Sequence, residues 1–100
     1  MKRGIYVRTG LSRQIFIQVA SHEYAHAWQG ENCPLLNDTQ FREGFAEWIA
    51  YIVLSNLNYQ EQMDQMLHGD GQYSQGLQSL LDLESEVGRE GVLNACKKHR

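Results

Sequence analysis

The chain lacks any basic block or stripe, which argues against nucleic acid as a partner. Its only basic cluster is the tail Lys97, Lys98, His99 and Arg100, placed to cap and solvate a last helix. Cysteine is scarce. Cys33 and Cys96 do not make a disulfide framework, and the reading is reduced thiols in a cytoplasmic protein, with one bridge between them left open. Long hydrophobic runs are missing too. The longest apolar tract, residues 45–54, contains Glu47 and falls far short of the roughly 20 residues a membrane span needs, so no membrane association is expected. The charged start Met1-Lys2-Arg3 is followed by no apolar h-region, so no signal peptide is expected. No internal repeat or low-complexity run is present.

What remains suits one small globular domain spanning 1–100. Of the 100 residues 42% are apolar, too many for a disordered chain, and 12 acidic against 9 basic side chains leave a net charge of −3. The pattern predicts a mainly α fold with an α+β remnant: four to five helices and one short N-terminal strand. Ile5 to Arg8, bounded by Gly4 and Gly10, reads as that strand. Ser12 is the expected N-cap of a helix running to about Gln29, with Gly30 as its stop. Ile15, Val19, His22 and His26 share one stripe of it, so the histidines extend an apolar face.

Pro34, the only proline, marks a loop. Asn37 with Gln40 resembles a capping box opening a helix from about Asp38 to Leu57. Its greasy side is Phe41, Phe45, Trp48, Ile49 and Ile52; Glu43, Glu47, Ala50 and Leu54 form a neighbouring stripe. Trp28, Trp48 and Tyr51 are expected in the core. Tyr59 to Leu67 reads as a short third helix. His68-Gly69-Asp70-Gly71 is a break, a fourth helix covers Gln72 to Val87, and past Gly88 a last one covers Glu90 to Lys98.

The chemistry sits in Ser21-His22-Glu23-Tyr24-Ala25-His26. Helical residues four apart share a face with Cβ atoms about 5–6 Å apart, so two imidazoles there can reach one Zn²⁺ at about 2.0–2.1 Å. Glu23, about 100° round the helix from His22, is placed to act on a water at the open side of the ion. A catalytic zinc needs a third protein ligand. Glu43 and Glu47, four apart beside Phe41, Phe45 and Ile49, are carboxylates that would be costly to bury without a cation.

Arg42-Glu43-Gly44-Phe45-Ala46 resembles the Asn-Glu-Gly-Phe-Ala segment of zinc aminopeptidases. Together with His22-Glu23-x-x-His26 it resembles the signature of the gluzincin metallopeptidases. That resemblance implies Glu43 as third zinc ligand and Glu47 as the carboxylate that orients a zinc histidine from behind. His22 to Trp28, Glu43-Gly44 and Gly69-Asp70-Gly71 are most similar to the C-terminal peptidase domain of plant LIM-domain, ubiquitin-activated peptidases and their bacterial relatives; Gly10 to Arg13 also matches there. This chain has neither a LIM domain nor a ubiquitin-binding motif, and it lacks several strands that precede the zinc helix in that family. Its spacing to Glu43 is shorter than in aminopeptidases, and it has no segment for a substrate's free amino terminus, so exopeptidase activity is not implied.

The expected function is therefore zinc-dependent hydrolysis of peptide bonds, by an endopeptidase acting on a peptide or protein. Zinc would lower the pKa of a bound water from 15.7 towards about 7, and Glu23 would carry the proton. By the resemblance, a downstream Tyr or His steadies the oxyanion; His68 and Tyr73 are the candidates, and the segment reads equally as a turn capped by Asp70. His68 as third ligand is a further option. The free edge of Ile5 to Arg8 is placed to pair with extended substrate, or to invite a homo-oligomer. Two other readings stand: a latent or inactive zinc module acting through a protein partner, and a structural zinc site with Cys33 in the fourth position.

Overall fold

The computed structural model describes residues 10–34, 36–68 and 72–98, the side chains of 10–12, 72 and 73 excepted. Among them all regular structure is helical: α1 (Gly10–Asn32), α2 (Thr39–Asn56), α3 (Gln60–His68) and α4 (Gln72–Lys98), with short loops between. The mainly α expectation holds, and no strand occurs among the described residues. The expected strand Ile5 to Arg8, with its free edge, lies outside them, as does Gly69-Asp70-Gly71. No described helix is long and apolar enough to cross a membrane.

α2 is the central element, with α1 and α4 both packed on it and α3 closing one side. Its position follows from its sequence, which is apolar or small nearly all round. Gly44, Phe45, Ala46, Glu47, Trp48, Ala50 and Leu54 are buried. Phe45 anchors the core. Its ring stacks on Trp28 of α1 at 5.6 Å and lies 5.5 Å from Trp48, whose indole N–H donates to Glu84 Oε1 of α4 at 2.9 Å. Leu77, Val92 and Cys96 complete the core from α4. Trp48 is therefore core as expected, and Trp28 and Tyr51 pack against it partly buried.

Several helix boundaries differ from the expected ones. The cap of α2 is Asp38, not Asn37. Asp38 is extended, and its carboxylate accepts from the Phe41 N–H at 3.2 Å, so Gln40 falls a position short of a capping box. α1 begins at Gly10, so Ser12 lies inside it, and Gly30 does not stop it. A helical Gly costs only about 1 kcal/mol relative to Ala, and the last turn is held past it: Cys33 N–H donates to Gln29 O at 2.8 Å and the Asn32 amide to Trp28 O at 3.0 Å. α2 ends with Asn58 at φ 62°, and Tyr59 N–H reaches back to Leu54 O at 3.0 Å, a Schellman closure. The expected break at Gly88, by contrast, is present: its φ of 79° and ψ of 170° are not helical, and α4 is two helices meeting there at a kink.

The buried face of α1 is also rotated from the expected one. Ile15 and Val19 are exposed. The residues turned inward are Gln18, His22, Ala25 and Gln29, spaced by four, three and four. His22 is common to both stripes, but the true one is small and polar. Apolarity misdirects the reading because, beside the stacking of Trp28 on Phe45, much of the contact with α2 is made by hydrogen bonds.

Two close approaches fix the layers. Gly44 of α2 meets Gly76 of α4 backbone to backbone: a Cβ on Gly76 would sit 2.9 Å from Gly44 Cα. Cys33, past the end of α1, meets Cys96 in the core at Sγ–Sγ 2.9 Å, both as free thiols. Burial chiefly, and then Cys33, push the Cys96 thiol well above its ordinary pKa. Gly76→Ala should lower stability by about 1–3 kcal/mol, read as a lower urea midpoint with unchanged slope, because backbone cannot yield as a side chain can. Both thiols should alkylate at least about tenfold more slowly in the folded protein than in urea, and rapid labelling under native conditions would contradict the α1–α4 packing.

Candidate metal centre

The spacing of four between His22 and His26 places both rings on the side of α1 that faces α2, and the spacing of four between Glu43 and Glu47 answers it from α2. His22 Nε2 lies 3.1 Å from His26 Nε2, with the rings edge to face at 77°. Glu43 Oε1 lies 3.0 Å from His22 Nε2 and 3.3 Å from His26 Nε2. The three side chains are 16, 18 and 25 % exposed, so the cluster is sheltered yet open on one side.

The outer nitrogens are bonded to acceptors. His22 Nδ1–H donates to Glu47 Oε1 at 2.8 Å. His26 Nδ1–H donates to Gln29 Oε1 at 2.9 Å, and Gln29 is oriented by its own amide, which donates to Arg42 O at 3.0 Å. Acceptors behind each ring hold the proton on Nδ1 and leave the Nε2 lone pair facing inward. Two imidazole lone pairs and a carboxylate oxygen then converge with no hydrogen between them, which is costly unless a cation or an added proton joins them.

The fit to a metal is close. Donors about 2.0–2.1 Å from a tetrahedral ion lie roughly 3.3 Å from one another, and the distances here are 3.0, 3.1 and 3.3 Å. His22, His26 and Glu43 can hold a metal ion, each giving one ligand atom. Glu47 and Gln29 orient the two rings, and such partners raise ligand basicity. Behind Glu47 the polar chain continues: the Gln18 amide donates to Glu47 Oε2 at 3.5 Å, and the amide of Gln62 on α3 donates to Gln18 Oε1.

Glu23 is exposed, follows His22 directly on α1, and makes no hydrogen bond with another described residue. The other candidates lie elsewhere. His68 is exposed as the last residue of α3 and is not one of the three residues grouped as metal ligands. Tyr73 lies in the first turn of α4, and its side chain is outside the described residues. Cys33 is not a fourth ligand, because its thiol is buried against Cys96. Gln18, Gln29 and Gln62 escaped sequence reasoning. Gln29 had a signal, since it stands three residues after His26 on the same face; Gln62 had none, because only tertiary packing brings α3 to Gln18.

A scan against protein-family models and searches of curated proteins and of solved structures find no match to this chain.

The His22 pKa is raised above its usual 6.5, first by the hydrogen bond to Glu47 and then by the Glu47 charge and by Glu43, with burial opposing. A raised folded-state pKa contributes stability that is full below pH 6.5 and is lost as pH climbs through the raised value. In chelator, the stability difference between wild type and His22→Gln should therefore shrink as pH rises from 6 to 8, measured by thermal melts. Added metal must displace that proton, so the stabilisation it brings should grow over the same range.

Proposed function

We propose that this chain is a zinc-dependent peptidase of gluzincin type, with His22, His26 and Glu43 as zinc ligands and Glu23 as general base. The observation that carries the reading is the convergence of three acceptor atoms at 3.0–3.3 Å, with the exposed glutamate that follows the first histidine making no hydrogen bond to another described residue. Two nitrogens and one carboxylate oxygen suit zinc better than magnesium or calcium, which favour oxygen ligands. Three ligands leave the fourth tetrahedral position open, as catalytic zinc sites do. A structural site is closed, and has no use for a free carboxylate at Glu23.

When bound there, zinc supplies Lewis acidity that acidifies water and polarises a carbonyl oxygen. The side chains of this protein do the rest. Glu23 accepts the water's proton and returns it to the departing amine as the peptide bond breaks, a role that needs a carboxylate not engaged elsewhere. Glu43 offsets part of the ion's charge. Glu47 holds the His22 ring by its Nδ1–H, and Gln29 holds His26 in the same way, so both rings stay aimed inward.

Glu23→Gln should keep zinc at wild-type stoichiometry and lose peptide cleavage by about 10²–10⁴-fold, measured by metal analysis together with hydrolysis of an unfolded protein with and without chelator. Glu43→Ala should lose bound zinc. Full zinc occupancy in that variant would remove Glu43 from the ligand set, and cleavage that survives both Glu23→Gln and chelator would end the reading. Glu47→Gln should weaken zinc affinity by about 10–100-fold without abolishing it.

A further inference from the structure

Beyond His26, on the side of Gly30, the centre adjoins a cleft of about 210 Å³. Its walls include His26, Gln29 and Gly30 from the end of α1, Leu36 from the loop, and Arg42 from the first turns of α2. We propose that this cleft is a substrate subsite for a carboxylate, selected by the Arg42 guanidinium. This names a substrate class for the peptidase reading and rests on it.

Three observations support the assignment. The first is position. His26 is both a zinc-ligand candidate and a wall of the cleft, so a chain lying over the centre continues into it. On α1, Gly30 comes seven residues after Glu23, two helical turns along the same line, and the space where its side chain would stand is open, with nothing within 4 Å. A peptide lying over His26 therefore meets no side chain at Gly30 as it enters the cleft that Arg42 lines.

The second is charge. Among the described residues Arg42 is the only Lys or Arg lining the cleft, no Asp or Glu lines it, and Arg42 forms no ion pair. A guanidinium is charged at every working pH and presents a planar fork that matches a carboxylate in two parallel hydrogen bonds. The chain as a whole is negative, at −3, so an anionic group is drawn to this place by the local side chain and not by the bulk charge.

The third is rigidity at the backbone. The Arg42 carbonyl accepts from Gln29, which also accepts from His26 Nδ1–H, and Arg42 directly precedes Glu43. The start of the arginine side chain is thus tied to both a histidine and the glutamate of the centre. The backbone from which the exposed Arg42 side chain reaches is thereby fixed relative to the centre, and a substrate carboxylate held by it would add remote binding to orientation.

The carboxylate could belong to an acidic side chain or to a peptide's C-terminus, and the test separates the two. The zinc-loaded Glu23→Gln protein is titrated calorimetrically with N-acetylated decapeptides of one neutral sequence. In one arm the peptides are amidated and a single Glu, Gln or Lys is walked along them; in the other the C-terminus is free. We expect Glu at one position, or the free C-terminus, to bind about three- to tenfold tighter than its neutral counterpart. Adding Arg42→Gln should erase the preference, and adding Arg42→Glu should turn it towards Lys, with zinc content unchanged in both. The proposal is overturned if no peptide binds with a charge preference, or if the preference survives Arg42→Gln. The same peptides given to the wild type separate the two levels of argument. Cleavage without charge preference sinks the subsite alone, whereas charge-selective binding without cleavage sinks the peptidase reading alone.

Discussion

Everything in the centre depends on the register with which α1 lies on α2. Two spacings of four face each other across that contact, and a shift of one residue on either helix would turn a ligand away by about 100°. The register is set by unlike forces. Below the centre, Trp28 stacks on Phe45 at 5.6 Å. At the centre itself, hydrogen bonds from His22 to Glu47 and from Gln29 to Arg42 O lock the helices in azimuth. Apolar contact brings the helices together without specifying rotation; the polar bonds specify rotation, because they fail within a fraction of an ångström.

Much of this was legible in the sequence. His22, Glu23 and His26 announce themselves, since a helix puts the histidines on one face whatever surrounds them. The pairing of Glu43 with Glu47 was visible as carboxylates beside a greasy face. The fold was less so. Asn37 and Asp38 are both good caps, and only the backbone distinguishes them. Gly30 looked like a helix end but was overridden by bonds past it. Ile15 and Val19 drew the inward face of α1 about a third of a turn too far, because period alone reports apolarity, and this face is closed by Gln18, His22 and Gln29. Gln62 could not be read at all, as its partner on α1 is 44 positions distant.

The polar chain behind the centre has a physical logic of its own. It runs from Gln62 through Gln18 and Glu47 to His22, so three helices contribute to the orientation of one imidazole. His26 has a separate support, Gln29, which is 3 % exposed and holds its place by bonding to main chain. The two rings are therefore steered independently: one by a carboxylate that makes it more basic, the other by a neutral amide. The centre is asymmetric in charge even though its two histidines are equivalent in sequence.

The crossing of α2 and α4 at Gly44 and Gly76 carries a further consequence. Contacts between side chains can be renegotiated, one residue growing as its neighbour shrinks. This one cannot, because each partner is already a bare α-carbon and nothing smaller exists for either to become. The two positions therefore cannot compensate for one another, and the immediate neighbour of Glu43 inherits that intolerance from a helix that contributes no ligand. Variation that leaves His22, His26 and Glu43 untouched can still dismantle the centre from the far side of the bundle.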